Sequence, residues 1–348
     1  MNRSAVTPPT VDPTPIFEFF RGSYGSELLT AAIAHFHVFG RLSQESLSFD
    51  QLRQALSLEA RPANVLVTAL RAMGMLDLNA DGRLTLTPLA AEHLLPGGDF
   101  DVGDYVGLAA QTPGVLSMVE LLRTNQPLNF DTADGAAFIY RDGLASAMDS
   151  TDSARHFTMA LAGRAKNVAP ALADALPADD AKLVVDVGGG TGIYAYALLQ
   201  KNPKLKAVIV DRPEVLRIAA ELADEYGVAD RAELLAGDMF ECELPGESDI
   251  TLLSNILHDW DVPECQKLVQ RCSESLRPGG RVAIHDVFLN DELDGPLSIA
   301  LYSAALFTLT EGRAYSEREY RSWLESAGLT CSPRVDTLVH CGVITGTR

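Results

Sequence analysis

The sequence predicts an α/β protein, in which a parallel sheet with helices on both faces follows a smaller and mostly helical domain. From Lys182 onward, apolar segments of strand length alternate with segments of helical pattern, which is typical of a parallel sheet. The first hundred residues instead indicate short helices followed by a hairpin. The chain has 348 residues, 47% of them hydrophobic, so it is long enough for two domains with substantial cores.

Five predicted strands follow one another in the second half of the chain. Their sequences are LVVDVG, AVIVD, AELLAGD, DITLLSN and RVAIHDVF. We expect the domain that they form to cover residues 177–348. Ligands of such sheets bind beyond the carboxyl ends of the strands, so the residues that end each strand are the candidates for a functional site.

The N-terminal domain, residues 15–100, has a winged-helix pattern. Segments 48–58 and 61–74 carry apolar residues at helical spacing, and MLDL and RLTL alternate on either side of NADG, which is typical of a hairpin. A winged helix often binds DNA, but this one has few arginines among several acids, and the chain has a net charge of −19. We therefore expect no nucleic-acid partner and interpret the domain as a module for homodimer formation.

The remaining segments are predicted to connect or to extend these domains. Residues 1–14 are polar and proline-rich, and we expect them to form a disordered leader. Residues 101–176 are expected to form a helical connector that contributes to the dimer and to the substrate pocket. The five cysteines show no metal-type spacing, and no apolar run is long enough to span a bilayer. The sequence thus predicts a cytoplasmic protein with neither a metal site nor a membrane partner.

The stretch VVDVGGGTGIY, residues 184–194, predicts a strand, a bare loop and a helix that bind a nucleotide-type ligand. A phosphate-binding P-loop would need a lysine that is absent here. Gly188 and Gly190 fit the dinucleotide fingerprint, but its third glycine position is Ile193. Asp186 would repel a pyrophosphate and would favour a ligand with an ammonium group. S-adenosylmethionine is such a ligand, since it combines an amino acid with a sulfonium and carries no phosphate.

Two further strand ends offer acids for the other parts of this ligand. Asp211 ends the next strand and could accept both ribose hydroxyls. Asp238, in GDMF, could accept from the adenine amino group, while Met239 and Phe240 could pack on the ring. Each acid alone could equally be a helix or loop cap. Three acids at successive strand ends together with the glycine loop are a more specific pattern.

The segments DVGGGTG, DRPEV, GDMF, LHDW, LRPGGRVAIHD and SEREYRSWLESAGL occur in this order over residues 186–328. They resemble the S-adenosylmethionine-dependent O-methyltransferases of the caffeate, hydroxyindole and bacterial polyketide type. The resemblance implies a Rossmann-like class I methyltransferase domain and an N-terminal winged-helix dimerisation domain that builds an intertwined homodimer. It also implies the cofactor S-adenosyl-L-methionine and transfer of its methyl group to a hydroxyl.

The resemblance further implies that His258, in SNILHDWD, is the general base. Histidine titrates near neutrality and is a common base in such reactions. In the strand RVAIHDVF, His285 and Asp286 must point to opposite faces. The family has a glutamate at the position of Asp286, so we expect Asp286 to orient His258.

The sequence departs from the family pattern at two positions. Ala314 stands where many members have a second glutamate, and Ser254 stands where many have a lysine or arginine; we count Ser254 among the expected cofactor contacts. These changes leave other activities open: methylation at carbon, or cofactor binding without methyl transfer. A nicotinamide-dependent oxidoreductase is a further alternative, which the register of Ile193 disfavours.

The acceptor pocket is expected to be apolar. Phe157 and Leu161 match family positions that line it, and Leu306 and Phe307 belong to the uncharged helix predicted at 296–309. Such residues are also typical of a hydrophobic core. We expect the acceptor to be a hydrophobic small molecule with a hydroxyl group, of aromatic, polyketide-like or isoprenoid type.

Overall fold

The computed structural model describes residues 2–126 and 151–348. These residues form two compact units. The unit that we call the sheet unit comprises residues 2–17, 151–288 and 315–348, and the helical unit comprises 18–126 and 289–314.

The elements are numbered along the chain. The helices are α1 (Thr14–Arg21), α2 (Gly25–Ala34), α3 (Val38–Leu42), α4 (Phe49–Leu56), α5 (Ala60–Ala72), α6 (Pro88–His93), α7 (Gly103–Gly107), α8 (Pro113–Thr124), α9 (Thr151–Ala175), α10 (Ile193–Lys201), α11 (Pro213–Tyr226), α12 (Val262–Glu274), α13 (Leu297–Leu309) and α14 (Glu317–Ser326). The strands are β1 (Leu76–Leu78), β2 (Leu84–Leu86), β3 (Leu183–Val187), β4 (Lys206–Asp211), β5 (Ala232–Ala236), β6 (Ser248–Ser254), β7 (Leu276–Val287), β8 (Thr330–Cys331), β9 (Val335–Asp336) and β10 (Cys341–Thr347).

The sheet unit contains one sheet in the order β5-β4-β3-β6-β7-β10-β8, with β9 paired to β10. Strands β3 to β7 are parallel, as the sequence predicts. The sheet is nevertheless mixed, because β10 runs antiparallel to β7, with Gly342 opposite Asp286. The carboxyl ends of β3, β4, β6 and β7 lie at one edge of the sheet, so Asp186, Asp211, Ser254 and Asp286 share that edge.

The central strands are buried on both faces, which explains their apolar sequences. All seven residues of β6 are buried, as are four of the five in β3. Parallel strands covered by helices on both sides need such continuous apolar runs, because neither face meets water. The strand ends are therefore held by a rigid core, and this favours a constant geometry for the side chains that they carry.

The helical unit contains the predicted helices and hairpin. Helix α4 begins with a capping box, in which Ser48 and Gln51 each bond the other's backbone N–H, and α5 follows it. Strands β1 and β2 pair antiparallel, with Leu76 opposite Leu86. Their inward-facing side chains join the hydrophobic core of this unit through Leu76 and Leu84. The winged-helix pattern is thus present.

Helix α13 belongs to the helical unit, although the sequence predicts it to lie in the single domain of residues 177–348. Its side chains Leu301, Ala304 and Phe307 lie in the hydrophobic core of that unit. The helix has no polar face, and such a helix must be buried on all sides. Residues 289–314 are therefore an insertion into the sequence of the sheet unit that folds with the helical unit.

The N-terminal segment also differs from its prediction as a disordered leader. The backbone N–H of Arg3 donates to the carbonyl of Glu225 at 2.8 Å, and that of Ala5 donates to Gln200 Oε1 at 2.7 Å. Ala5 is 4% exposed. The segment is ordered against the sheet unit because its backbone groups find these partners.

The predicted connector is described only in part. Its residues 127–150 lie outside the described ranges, while the rest includes α7, α8 and α9. Among the described residues, no helix combines the length and the apolar character needed to cross a membrane.

Candidate functional site

The glycine loop after β3 places a stretch of backbone without side chains at the edge of the sheet. Gly188, Gly190 and Gly192 have φ values of 67°, 56° and 72°, in the left-handed region that favours glycine. A Cβ at Gly188 would lie 2.6 Å from the Ile256 side chain, whereas one at Gly190 would meet no heavy atom within 4 Å. The loop is thus closed on its inner side and open at Gly190, where a ligand can approach the backbone.

Asp186 lies beneath this loop with its charge unsatisfied. The residue is completely buried, and neither carboxylate oxygen has a hydrogen-bond partner among the described residues. Burial, together with the nearby charge of Asp211, raises the pKa of Asp186 to about 7. A buried acid without a donor is costly, so the site is suited to a ligand that brings a cationic donor.

Asp211, at the end of β4, is held by the same loop. Its Oδ2 accepts a hydrogen bond from the Gly190 backbone at 2.8 Å, and its Oδ1 accepts one from Arg212 at 2.7 Å. Burial raises the pKa of Asp211, and these two donors oppose that effect. The carboxylate is thereby fixed beside the open part of the loop.

The segment after β5 places its three predicted contacts differently. Asp238 is exposed, and its Oδ1 accepts from the backbone of Phe240 at 2.8 Å. The Met239 sulfur is 3.4 Å from the position of a Cβ on Gly188, and therefore lies beside the loop. Phe240 is 3% exposed, with its ring edge-on to Trp260 at 4.9 Å. In this structure the Phe240 ring thus fills the core, and Met239 is the member of this pair that lies beside the loop.

His258 lies in a 3₁₀ turn, Leu257–Asp259, between β6 and α12. It is 4% exposed, and its Nδ1 is 2.6 Å from Oδ1 of Asp286, at the end of β7. We assign the proton of the neutral ring to Nδ1, because an ionised carboxylate can only accept it. The other nitrogen, Nε2, is then free of a proton and can act as an acceptor.

The two charges of this pair stabilise each other. Burial alone would lower the pKa of His258, but the charges of Asp286 and Asp259 outweigh it and raise that pKa. Burial alone would raise the pKa of Asp286, but the His258 charge and hydrogen bond outweigh it and lower that pKa. The site can therefore hold a proton on the imidazole next to an ionised carboxylate.

Two charged residues that lie near His258 are not identified in the sequence analysis. Arg164, on α9, donates to Asn255 Oδ1 and is close enough to lower the pKa of Asp286. Asp259 places Oδ1 3.7 Å from His258 Nε2. The adjacency of Asp259 to His258 in LHDW was an available signal, but nothing in the local sequence connects Arg164 to a residue 91 positions away.

His285 lies on the opposite face of β7 from Asp286, as strand alternation predicts. Its Nδ1 is 2.8 Å from Ser254 Oγ, and its Nε2 is 3.2 Å from Thr337 Oγ1. Burial and the charge of Arg164 lower the pKa of His285 to about 3, so this ring is neutral at physiological pH. Ser254 also accepts from Asn255 at 3.1 Å, and its hydroxyl thus has partners within the protein.

The predicted acceptor contacts are divided between the two units. In the sheet unit, Leu161 on α9 is 50% exposed, and the side chain of Phe157 lies outside what the structure describes. In the helical unit, Leu306 is 5% exposed and Phe307 is fully buried beneath the guanidinium of Arg61, at 4.7 Å from its ring centroid. Phe307 is therefore part of the core of its unit.

Within the described ranges, no group of three or more His, Cys, Asp or Glu side chains is placed to hold a metal ion.

Comparison with known proteins adds independent findings. A sequence model of the O-methyltransferase domain matches residues 121–330. The chain is 32% identical over 327 residues to 3-hydroxy-5-methyl-1-naphthoate 3-O-methyltransferase of Streptomyces sahachiroi, covering 93% of this chain and 92% of that one.

Solved structures show the same similarity. The crystal structure of an O-methyltransferase family 2 protein from Planctomyces limnophilus, in complex with apigenin, is 46% identical in sequence and has a TM-score of 0.89, with coverage of 100% and 99% of the two chains. Human N-acetylserotonin methyltransferase in complex with S-adenosylmethionine is 21% identical, with a TM-score of 0.60 over 98% and 99% of the two chains. This second likeness is one of fold.

Proposed function

Because the chain belongs to the O-methyltransferase domain family, and is an S-adenosylmethionine-dependent O-methyltransferase, we propose that His258 is its general base and that Asp286 orients this base. The observation that carries the proposal is the contact of 2.6 Å between His258 Nδ1 and Asp286 Oδ1 at the carboxyl edge of the sheet. It leaves Nε2 as the proton acceptor.

In the proposed reaction, the cofactor supplies the methyl group and the protein supplies the base. When bound, S-adenosylmethionine supplies a methyl group on a positively charged sulfur, which an oxygen nucleophile attacks in line. His258 takes the proton from the acceptor hydroxyl at Nε2, which makes that oxygen a better nucleophile. Asp286 holds the ring in the required tautomer and stabilises the charge that the ring gains.

The residues around the glycine loop fit this cofactor. The buried Asp186 carboxylate lacks a donor, and an ammonium group would supply one. The open space at Gly190 permits close approach of a ligand. We propose that Asp186 faces the amino group, that Asp211 accepts from the ribose hydroxyls, and that Asp238 and Met239 meet the adenine.

We propose smaller roles for the remaining predicted cofactor contacts. Gly188 shapes the inner side of the loop, and Ser254 acts through the network that it forms with His285. Phe240 supports the adenine side from within the core, where it packs on Trp260.

We propose that the acceptor is a hydroxylated aromatic molecule of polyketide-like type. The similar Streptomyces enzyme is named for a hydroxynaphthoate, and the similar Planctomyces structure contains apigenin. The half-exposed Leu161 offers apolar surface in the sheet unit. Phe157, Leu306 and Phe307 are the further candidates for acceptor contacts.

We also propose a homodimer built by the helical unit. Four large apolar side chains of this unit are strongly exposed: Phe19 by 86%, Phe20 by 70%, Tyr105 by 77% and Leu108 by 81%. Exposed apolar side chains in such number are typical of an interaction surface. The five free cysteines are in keeping with a reducing, cytoplasmic location.

Replacing His258 by alanine tests the proposed function. The variant should lose about 10²–10⁴-fold in the rate of methyl transfer to hydroxylated aromatic probes, including apigenin. Its affinity for S-adenosylhomocysteine, measured by calorimetry, should not change, because His258 meets the acceptor and not the cofactor. His93→Gln, at a partly exposed histidine of the helical unit, is the matched control. Transfer by His258→Ala at the wild-type rate would remove His258 from the mechanism.

A further inference from the structure

The outer nitrogen of His258 has an acidic neighbour to which the proposed mechanism gives no role. Asp259 is the next residue in the same turn, and its Oδ1 lies 3.7 Å from His258 Nε2. Asp259 is 9% exposed. Among the backbone groups and side chains that the structure describes, none donates a hydrogen bond to its carboxylate. A shielded carboxylate thus faces the nitrogen that accepts the proton.

The position at which the family has its second glutamate carries no charge in this chain. Ala314 stands there, and it is fully buried, with its backbone N–H donating to Ser303 Oγ at 3.1 Å. We propose that Asp259 supplies the second carboxylate instead, as a positioning residue that stabilises and orients His258 once Nε2 has taken the acceptor proton. This inference rests on the proposed function, since it assumes that His258 is the base.

The charged and titratable groups around the ring come from four elements. Asp286 on β7 faces Nδ1, and Asp259 in the turn faces Nε2. Arg164 on α9 adds a positive charge that acts on His258 and on both acids. The buried Tyr320 on α14 lies close enough to Asp286 for the charge of that acid to act on its hydroxyl. The imidazole is therefore flanked by one carboxylate on each nitrogen.

The proton balance of the proposed step is simple. The O–H bond of the acceptor breaks, an N–H bond forms at Nε2, and the electron pair stays on the acceptor oxygen. The new N–H lies on the side of Asp259, and the Nδ1–H bond to Asp286 is kept. Coulomb attraction over 3.7 Å is weakly screened in a buried site, so Asp259 stabilises the imidazolium.

The titration of Asp259 is compatible with this role. Burial raises its pKa to about 6; the positive charge of His258 opposes this effect, and the negative charge of Asp286 reinforces it. Asp259 is therefore ionised at neutral pH and above. Burial lowers the pKa of His258, but the charge of Asp286 and the smaller effect of Asp259 outweigh burial, so the pKa is raised overall. Removal of the Asp259 charge should therefore lower the pKa of His258.

Nitrogen-15 NMR titration of the His258 ring tests the inference without knowledge of the acceptor. The enzyme is labelled in histidine, saturated with S-adenosylhomocysteine, and compared as wild type, Asp259→Asn and Asp259→Glu. We expect the His258 midpoint to fall by about one pH unit in Asp259→Asn, and to return toward the wild-type value in Asp259→Glu. Asp261→Asn, which removes an acid two residues away, is the matched control and should leave the midpoint unchanged.

The outcomes separate this inference from the proposed function. A His258 midpoint that is the same in wild type and in folded Asp259→Asn overturns the role of Asp259, whatever the activity of His258→Ala. A lowered midpoint in Asp259→Asn, restored by Asp259→Glu, supports it. If His258→Ala still transfers methyl groups at the wild-type rate, the proposed base fails, even though the NMR result still describes the ring. Binding of S-adenosylhomocysteine by each variant shows that it is folded.

Discussion

Two acids at neighbouring ends of the same sheet differ in what the protein gives them. Asp286, at the end of β7, is fully buried and has His258 at 2.6 Å, and its pKa is lowered despite burial. Asp186, near the end of β3, is equally buried but has no donor among the described residues, and its pKa is raised to about 7. Burial is the same at both positions, so the opposite directions of the two pKa shifts come from the neighbouring groups.

This contrast supports the proposal that one sheet edge serves two tasks. Oδ1 of Asp286 contacts His258 Nδ1 and accepts the backbone N–H of Val287, while Oδ2 has no partner among the described residues. One oxygen is thus held inside the protein, which suits a group that must keep a base in a constant orientation. The Asp186 charge is left to a partner from outside, which suits a binding site. Complete burial therefore does not by itself set the pKa of an acid, which also depends on the charges and donors around it.

The largest effect is expected from breaking the satisfied pair. Asp286→Asn keeps the shape but removes the charge that fixes the tautomer of His258, so methyl transfer should fall by about 10²–10⁴-fold. The affinity for S-adenosylhomocysteine should change less than about twofold, because the proposed role of Asp286 is toward His258 and not toward the cofactor. Single-turnover rates and calorimetry measure the two quantities. Asp336→Asn, an exposed acid of the same unit, serves as control; equal rates in both variants would contradict the account.

The second prediction concerns the unsatisfied acid. Asp186→Asn should weaken the binding of S-adenosylhomocysteine about 10–100-fold, because it removes the anionic partner of the ammonium group. Calorimetry at pH 7.5 measures this loss. A cofactor affinity equal to that of the wild type would show that Asp186 does not meet the ammonium group.

The same variant should change the pH dependence of stability in the cofactor-free enzyme. The folded pKa of Asp186 is raised from 3.8 to about 7, so its contribution is complete below pH ~4 and is lost as pH rises through ~7. Between pH 5 and pH 8 the wild type should lose on the order of 2 kcal/mol relative to Asp186→Asn. Urea unfolding of both proteins at both pH values gives this difference; parallel pH curves would refute it.

A smaller effect is expected from filling the open side of the glycine loop. Gly190→Ala should weaken S-adenosylhomocysteine binding about 10-fold, because its Cβ would occupy the space that is open in the protein alone. Gly279→Ala is the matched control, since Gly279 also has a positive φ, of 77°, but lies away from the site. Both variants should lose about 1 kcal/mol of stability from backbone strain. Equal cofactor affinities in the two variants would place the ligand elsewhere.

The smallest effect is expected at His285. Burial and Arg164 lower its pKa to about 3, so it carries no charge at any pH at which the enzyme is assayed. His285→Gln should therefore leave the midpoint of the acidic limb of the pH–rate profile unchanged, even if the rate falls through loss of its bonds to Ser254 and Thr337. A shifted midpoint would mean that His285, and not His258 alone, titrates in the reaction.

Much of the site could be predicted because it lies at strand ends. The positions of Asp186, Asp211 and Asp286 follow from the end of a buried strand, and strand alternation separates Asp286 from His285. The glycine loop is visible as a run of residues without side chains. These features depend on short stretches of sequence, where local rules apply.

Other features depend on tertiary structure and could not be read locally. Arg164 lies 91 positions before Asn255 in the sequence, and α13 folds with the helical unit although β7 before it and α14 after it belong to the sheet unit. Strand β10, with sequence CGVITGT, contains two glycines and gives a weak strand signal, although its pairing with β7 completes the sheet. Phe240 and Phe307 are apolar side chains whose burial depends on packing, which composition does not determine.

The measurement that tests the central claim most directly is the tautomer of neutral His258, read from the nitrogen-15 shifts of its two ring nitrogens above the titration midpoint. With S-adenosylhomocysteine bound, we predict a proton on Nδ1, shared with Asp286, and an unprotonated Nε2. A neutral ring with its proton on Nε2 would contradict it, because that nitrogen could not then accept a proton from a hydroxyl group.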